Sequence, residues 1–249
     1  MHVSATIPSI PARRLPGRTY DRQFFLAVIL LEVGAVALGF WPTYYGAGVF
    51  LAPLPSLIVH IHGAVFSLWM VLLLVQSGLI SVRQIAWHRR LGVAGFLVAC
   101  CMPVLAVLVA AGVAARLKGA PNSEPDLYSL IIPFTDAFDF AALTGCAYAL
   151  RRNGPAHKRL IILATAGLSG AAFFRWHLAI LFHNGQAAYA ASYVFLLLLI
   201  VYDLWSTHRV HRATAWGGTF LVLMEQSTRI VGPSAPWHRV IHWVQTWSV

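Results

Sequence analysis

The fold is decided by stretches such as residues 91–115, LGVAGFLVACCMPVLAVLVAAGVAA, in which no side chain is charged. A helix of this length spans roughly 37 Å, which exceeds the roughly 30 Å hydrocarbon core of a bilayer. The composition agrees, because 59% of the 249 residues are hydrophobic, 10% are charged and the mean hydropathy is +0.70. Water-soluble domains average about 25% charged residues. The sequence therefore predicts an all-α, polytopic transmembrane helix bundle.

Seven stretches of the chain are predicted to cross the membrane. Six are apolar runs of membrane length: 24–41, 55–82, 91–115, 129–150, 160–182 and 189–205. The seventh, 213–231, is less apolar because it carries Glu225, Gln226 and Arg229, which are tolerated only inside a bundle. We therefore expect a seven-span bundle over 24–231.

The segments on either side of the bundle have different compositions. Residues 1–23 are polar and rich in Pro and Arg, which predicts a cytoplasmic N-terminal tail. Residues 232–249 place one apolar helical face on Trp237, Val240, Ile241, Val244 and Trp247. That pattern predicts an outer interfacial helix.

The distribution of basic residues predicts the orientation. Thirteen of the eighteen Lys and Arg residues fall in the N-terminal tail or in the turns after the second, fourth and sixth spans. Only three fall on the opposite side. Because positively charged loops stay in the cytoplasm, we expect a cytoplasmic N-terminus and, with seven spans, an external C-terminus.

Composition also excludes two classes of protein. The net charge of +10 does not indicate a nucleic-acid partner, because the cations lie between apolar runs and not on a soluble basic face. Cys100, Cys101 and Cys146 all lie within apolar runs, so they predict small core residues and no disulfide framework.

A histidine followed by cations recurs in the predicted cytoplasmic turns. It reads His88-Arg89-Arg90-Leu91-Gly92 before the third span and His157-Lys158-Arg159-Leu160 before the fifth. With His62-Gly63 and Arg175, these motifs resemble the bacterial multi-pass membrane proteins grouped as domain of unknown function 2306. The resemblance implies a multi-pass helical fold in the bacterial inner membrane and implies no particular reaction. We expect the cations of these turns to contact lipid phosphates.

Ionisable residues within the spans converge on one depth. Alternate spans run in opposite directions. The ionisable residues of spans two, four, five and seven therefore lie roughly 3 to 15 Å below the outer ends of their helices. These residues are His62, Asp136, Asp139, Arg175, His177, Glu225 and Arg229. The sequence therefore predicts a polar cluster in the outer half of the bundle.

This cluster has a purely structural interpretation. Asp136 with Arg175, and Glu225 with Arg229, are expected to form ion pairs that fix helix packing. Asp203, at the inner end of span six, is expected to be hydrated.

Two cofactor hypotheses use the same residues. A b-type haem would take His62 and His177 as axial ligands, with Arg175 or Arg229 pairing its propionates. A divalent metal would instead take His62, Asp136, Asp139 and His177. Neither hypothesis is supported by a tight local ligand motif.

Two further hypotheses need no cofactor. The cluster could form a periplasm-facing pocket of a transporter or sensor for a small ligand. Alternatively, the chain could be a non-catalytic accessory or assembly subunit, packed against other membrane subunits through its small residues. The lipid bilayer is the one partner that all four hypotheses share. The sequence leaves open whether the protein is an enzyme.

Overall fold

The computed structural model describes residues 17–47, 56–120, 124–182 and 184–247, and within these ranges every regular element is helical. The helices are α1 (Gly17–Phe40), α2 (Leu57–Ser81), α3 (Ile85–Arg116), α4 (Glu124–Ser129), α5 (Ile131–Ala149), α6 (Gly154–Phe173), α7 (Gly185–Thr207), α8 (Arg212–Val231) and α9 (Ala235–Trp247). A π-helical turn, Trp41–Tyr45, extends α1. The predicted all-α fold is confirmed.

Five helical stretches are long and apolar enough to cross a membrane: Tyr20–Tyr45, Leu57–Ser81, Ile85–Arg116, Asp126–Ala149 and Gly185–Thr207. Helices α6 and α8 correspond to the other two predicted spans, 160–182 and 213–231, but are less apolar than the five. Most residues of α6 are buried, so few of its side chains need to be lipid-compatible. Helix α8 buries only one face, through Thr214, Gly217, Gly218, Leu221 and Glu225.

Helix α6 is the centre of the bundle and packs against α1, α5, α7 and α8. Its small residues allow close approach, as small residues do between membrane helices. At Gly39 of α1, an added Cβ would lie 2.8 Å from the Cα of Ala172 in α6. Because backbone atoms cannot move aside as a flexible side chain can, glycine is required at this crossing.

One end of the bundle is held by a buried ion pair. Arg159, at the start of α6, binds Asp203, near the end of α7, and the two side chains are 5% and 0% exposed. The other Asp203 oxygen accepts hydrogen bonds from the Thr214 hydroxyl at 2.6 Å and the His211 backbone N–H at 3.0 Å. The prediction that Asp203 is hydrated was wrong, because its carboxylate is 0% exposed and is bound by Arg159, Thr214 and the His211 backbone N–H.

His211 belongs to the same polar cluster. Its Nδ1 atom accepts a hydrogen bond from the Ala213 backbone N–H at 3.0 Å and so caps α8. Burial, together with the charges of Arg159 and Lys158, lowers the pKa of His211, while Asp203 opposes the shift. A neutral imidazole is the form that can accept this capping hydrogen bond.

A second ion pair joins α1 to α6. Lys158 binds Asp21, which also accepts a hydrogen bond from the Tyr202 hydroxyl at 3.0 Å. The Lys158 ammonium lies 3.9 Å from the centre of the Phe25 ring. The expectation that these turn cations contact lipid phosphate was therefore wrong for Lys158 and Arg159, which are neutralised within the protein.

Further contacts place the end of α2 and the start of α3 at this same end, which we call the basic end. Arg22 of α1 donates to the Ser81 carbonyl at the end of α2, and the rings of His88 and His157, near the starts of α3 and α6, are 6.4 Å apart. The opposite end, where α1, α3, α6 and α8 finish and α2, α5 and α7 begin, we call the distal end. Sequential long helices thus run in alternate directions.

The cysteines, the N-terminal tail and the C-terminal helix compare differently with their sequence-based predictions. All three cysteines are exposed on the outside of the bundle, so the prediction that they are core residues was wrong. Helix α1 begins at Gly17, within the predicted tail, and residues 1–16 lie outside the described residues. Helix α9 buries Trp237, Ile241 and Val244 against α3 and α4, while its position at the membrane interface stays a prediction.

The Arg159–Asp203 pair generates a stability prediction. In the Asp203→Asn variant, Arg159 would remain buried without its counter-charge, which costs about 3 to 5 kcal/mol. We expect a large fall in the melting temperature of the detergent-purified protein. The control is Asp21→Asn, which removes the counter-charge of Lys158. Because the Lys158 side chain is 26% exposed, the free energy of unfolding should fall by less than about 1 kcal/mol. Equal melting temperatures for the two variants would contradict this assignment.

Candidate functional site

A cavity of about 200 Å³ lies between α1, α2, α3, α5 and α6. It occupies the half of the bundle nearer the distal end, because its walls come from the end of α1, the first half of α2, the start of α5 and the second half of α6. The walls are mostly apolar, with Trp69, Met102 and Phe140 among them. His62 and Asp136 are the two ionisable side chains on its walls that the sequence had predicted to converge.

His62 is held against the cavity by close packing along α2. Its ring stacks on Phe66 at a centroid distance of 4.0 Å and has the Leu105 backbone carbonyl of α3 within hydrogen-bonding reach. A Cβ at Gly63 would lie 2.6 Å from the Tyr44 ring, so the glycine lets Tyr44 cross α2 at this level. His62 Nδ1 is buried and has no hydrogen-bond partner in the part of the chain that the structure describes.

Asp136 lies on the α5 wall of the cavity. Its carboxylate accepts a hydrogen bond of 3.0 Å from the hydroxyl of Tyr189 on α7. The Tyr189 ring reaches this position across Gly170 of α6, where an added Cβ would lie 3.0 Å from the ring. The expected ion pair between Asp136 and Arg175 is not formed, so that prediction was wrong.

Arg175 lies at the rim of the cavity without a carboxylate partner among the described residues. Its guanidinium donates to the Ala171 carbonyl at 2.5 Å and lies 4.6 Å from the centre of the Phe40 ring. Both Phe40 and Ala171 line the cavity. The helix ends at Phe173, so Arg175 folds back over the last turn of α6 and does not extend toward α5.

His177 and Arg229 are placed elsewhere. Because α6 ends at Phe173 and not at 182, His177 lies in the following non-helical segment, where it is exposed and stacks on Phe182 at 4.7 Å. Arg229 lines a different cavity. The His62–His177 pair that a haem would require therefore does not face one cavity.

The proposed metal ligands also fail to converge. Asp139 is 1% exposed and lies near Asp136, but His177 is on the surface. Within the described residues, no three His, Cys, Asp or Glu side chains are grouped so as to hold a metal ion. The geometry therefore supports neither of the two cofactor hypotheses.

Three buried carboxyl groups have no ion-pair partner within the described ranges: Glu32, Asp139 and Glu225. Their exposures are 0%, 1% and 2%. Of these, Glu225 has the Tyr193 hydroxyl within hydrogen-bonding reach. The predicted ion pair between Glu225 and Arg229 is absent, which was a second wrong pairing. Unpaired charges are costly inside a membrane bundle, so each such carboxyl requires a proton or a cationic ligand.

Several residues of the site were missed by sequence reasoning. Tyr44 and Tyr45 look like membrane-interface aromatics, but both line the cavity, and the Tyr45 hydroxyl hydrogen-bonds to Ser67 at 2.8 Å. Thr165 accepts a hydrogen bond of 3.3 Å from the Trp69 indole N–H. A useful signal was available in the glycines, since Gly63 and Gly170 each mark where an aromatic ring crosses a helix.

No protein-family model, curated protein or solved structure matches this chain. The family resemblance drawn from the histidine motifs therefore stays a prediction.

Proposed function

We propose that this chain is an integral membrane protein that binds a small, mostly apolar molecule carrying one hydrogen-bonding group. The observation that carries the proposal is His62, whose buried Nδ1 atom makes no hydrogen bond among the described residues and which lines the same cavity as Asp136. Buried polar atoms normally have a hydrogen-bond partner, so an orphaned one beside a cavity indicates a missing ligand group. Small-molecule sites typically combine apolar walls with a few such polar groups.

The size of the cavity limits the ligand. An apolar cavity of about 150 Å³ accommodates benzene, whereas sites for drug-sized molecules are about 300 to 1,000 Å³. A cavity of about 200 Å³ therefore suits a single substituted ring or a short chain. A hydroxyl or carbonyl between His62 and Asp136 would find a donor and an acceptor within the same site.

This geometry favours ligand binding, as in a sensor or carrier, over the accessory-subunit alternative. Many large apolar side chains are exposed, including Leu38, Leu97, Val104 and Trp216. Lipid contact explains such exposure without a partner subunit. A ligand role, unlike a purely structural one, also accounts for the polar atoms left unpaired at the cavity.

The proposal is tested with 4-bromophenol as the probe in lipid nanodiscs. Bromine quenches indole fluorescence on contact, and Trp69 lines the cavity. We expect saturable quenching that is lost in Trp69→Phe. His62→Leu should weaken the binding of 4-bromophenol about tenfold, because the hydroxyl loses its partner.

Two matched controls sharpen this experiment. Bromobenzene lacks the hydroxyl, so its affinity should be the same for the His62→Leu variant and the wild type. His60→Leu changes an exposed histidine that is not on the cavity wall, and it should leave both affinities unchanged. Non-saturable quenching, or a 4-bromophenol affinity of His62→Leu equal to that of the wild type, would refute the proposal.

We further propose a seven-span topology in the bacterial inner membrane, with the N-terminus in the cytoplasm. The support is that the basic turns share one end of the bundle, including those at Arg83, Arg89, Arg152 and Arg212. Positively charged loops favour the cytoplasmic side. Helices α6 and α8, although less apolar, run between the two ends like their neighbours.

Thiol labelling of two matched arginine positions tests this topology. Both Arg152, in the α5–α6 turn, and Arg239, in α9, are exposed. In a variant lacking the three native cysteines, a membrane-impermeant maleimide added outside the cell membrane should label Arg239→Cys and should label Arg152→Cys only after lysis. Labelling of both positions from the same side would contradict seven spans.

A further inference from the structure

A second cavity, of about 600 Å³, opens at the distal end where α4 meets α5, α7 begins and α8 ends. None of its described wall residues lines the His62 cavity. Its volume falls in the range typical of ligand sites, and its walls are much more polar than those of the first cavity. Its polar wall includes Asn184, Gln186, Tyr189, Glu225, Gln226 and Arg229.

Glu225 supplies a buried acceptor to this cavity. The residue is 2% exposed, and its carboxylate has no cationic partner among the residues that the structure describes. The Tyr193 hydroxyl is the one described side-chain group within hydrogen-bonding reach of it. The ionisable side chains that act on it, Tyr193, Asp136 and Asp139, bring no positive charge. A carboxylate in such surroundings is well suited to a ligand that provides a cationic N–H group.

Arg229 supplies the complementary charge one helical turn later. It lies on the same side of α8, about 6 Å further along the axis, and lines the same cavity. It is exposed and makes no ion pair with any described carboxylate. The start of α7, at Gly185, also lines the cavity, and a helix N-terminus favours a negative group.

We propose that this cavity binds a small zwitterion, with its ammonium on Glu225 and its anionic group on Arg229. Glu225 is buried and Arg229 is exposed, and the two form no ion pair with each other. A zwitterion bound in this way would neutralise both side chains. The amides of Gln186 and Gln226 are available on the same walls for further hydrogen bonds. This site is independent of the ligand proposed for the His62 cavity.

Two sources offer this ligand chemistry. One is a free amino acid from the aqueous phase, and the other is the headgroup of an ethanolamine phospholipid, which joins a primary ammonium to a phosphate. Both carry opposite charges a few bonds apart. The membrane-end location of the cavity makes both accessible, so the experiment must distinguish them.

Calorimetric titration of the full chain in phosphatidylcholine nanodiscs tests the site with L-alanine and with O-phosphoethanolamine. We expect at least one of these zwitterions to bind. Ethylamine and inorganic phosphate, which each carry one of the two charges, should bind about tenfold more weakly or worse. Glu225→Gln and Arg229→Gln should each weaken zwitterion binding by about tenfold or more.

A matched control removes a charge at the same end of the bundle. Arg116→Gln alters an exposed arginine outside the cavity and should leave the affinity within about twofold of wild type. If Glu225→Gln fails to fold, the exposed Arg229→Gln variant and the single-charge ligands still decide the question.

The lipid arm uses nanodiscs that contain phosphatidylethanolamine. Loss of O-phosphoethanolamine binding in these discs supports the headgroup as the source, whereas unchanged binding supports a free solute. Absence of binding by both zwitterions in phosphatidylcholine discs would overturn the proposal. Wild-type affinity in both Glu225→Gln and Arg229→Gln would also overturn it.

Discussion

A polar side chain inside a hydrocarbon layer must find its partners within the protein, because the lipid offers none. The two ends of this bundle meet that constraint differently. At the basic end, the Asp203 carboxylate forms an ion pair with Arg159 and accepts hydrogen bonds from Thr214 and a backbone N–H. The Asp21 carboxylate forms an ion pair with Lys158 and accepts a hydrogen bond from Tyr202. These groups are satisfied by one another, and their role is to hold α1, α6, α7 and α8 together.

Toward the distal end, partners are missing. His62 Nδ1 and the Asp139 carboxylate are buried without hydrogen bonds among the described residues, and the buried Glu225 carboxylate has no cationic partner there. Both cavities lie in this half of the bundle, one beside His62 and the other beside Glu225. The Asp136–Tyr189 hydrogen bond lies between them, since Asp136 lines the first and Tyr189 lines the second. Each cavity thus has one of these buried groups on its wall, His62 in the first and Glu225 in the second, which is the arrangement expected of ligand sites. Asp139 and Glu32 line neither cavity.

Sequence reasoning predicted the helical fold, because that follows from the length of the apolar runs. It also predicted a polar cluster at one depth, and two of its members, His62 and Asp136, line one cavity. It failed on pairing. The expected partners Asp136–Arg175 and Glu225–Arg229 are not formed, because Tyr189 reaches Asp136 and because Arg229 lies on the exposed part of α8. The depth of a residue along its span does not show which way its side chain faces. It also does not show which aromatic side chain of a neighbouring helix can reach it.

It also misplaced His177, because hydrophobicity continues to residue 182 although the helix stops at Phe173. Apolar composition shows that a segment avoids water, but it does not show where helical hydrogen bonding ends. Asp203 was misjudged for a related reason. Nearness to a helix end suggested hydration, whereas the turn before α8 folds back and buries it.

The central claim, that α2 and α5 bring His62 and Asp136 to one cavity, is tested most directly by cross-linking. In a variant lacking the native cysteines, His62→Cys and Asp136→Cys would be joined with a short bifunctional thiol reagent, and the chain would be cut at a protease site inserted between α3 and α4. We predict that the two fragments stay linked. They should separate when Ser77→Cys, about 22 Å further along α2, replaces His62→Cys. Separation of the 62/136 fragments, or equal linkage of both pairs, would contradict the account.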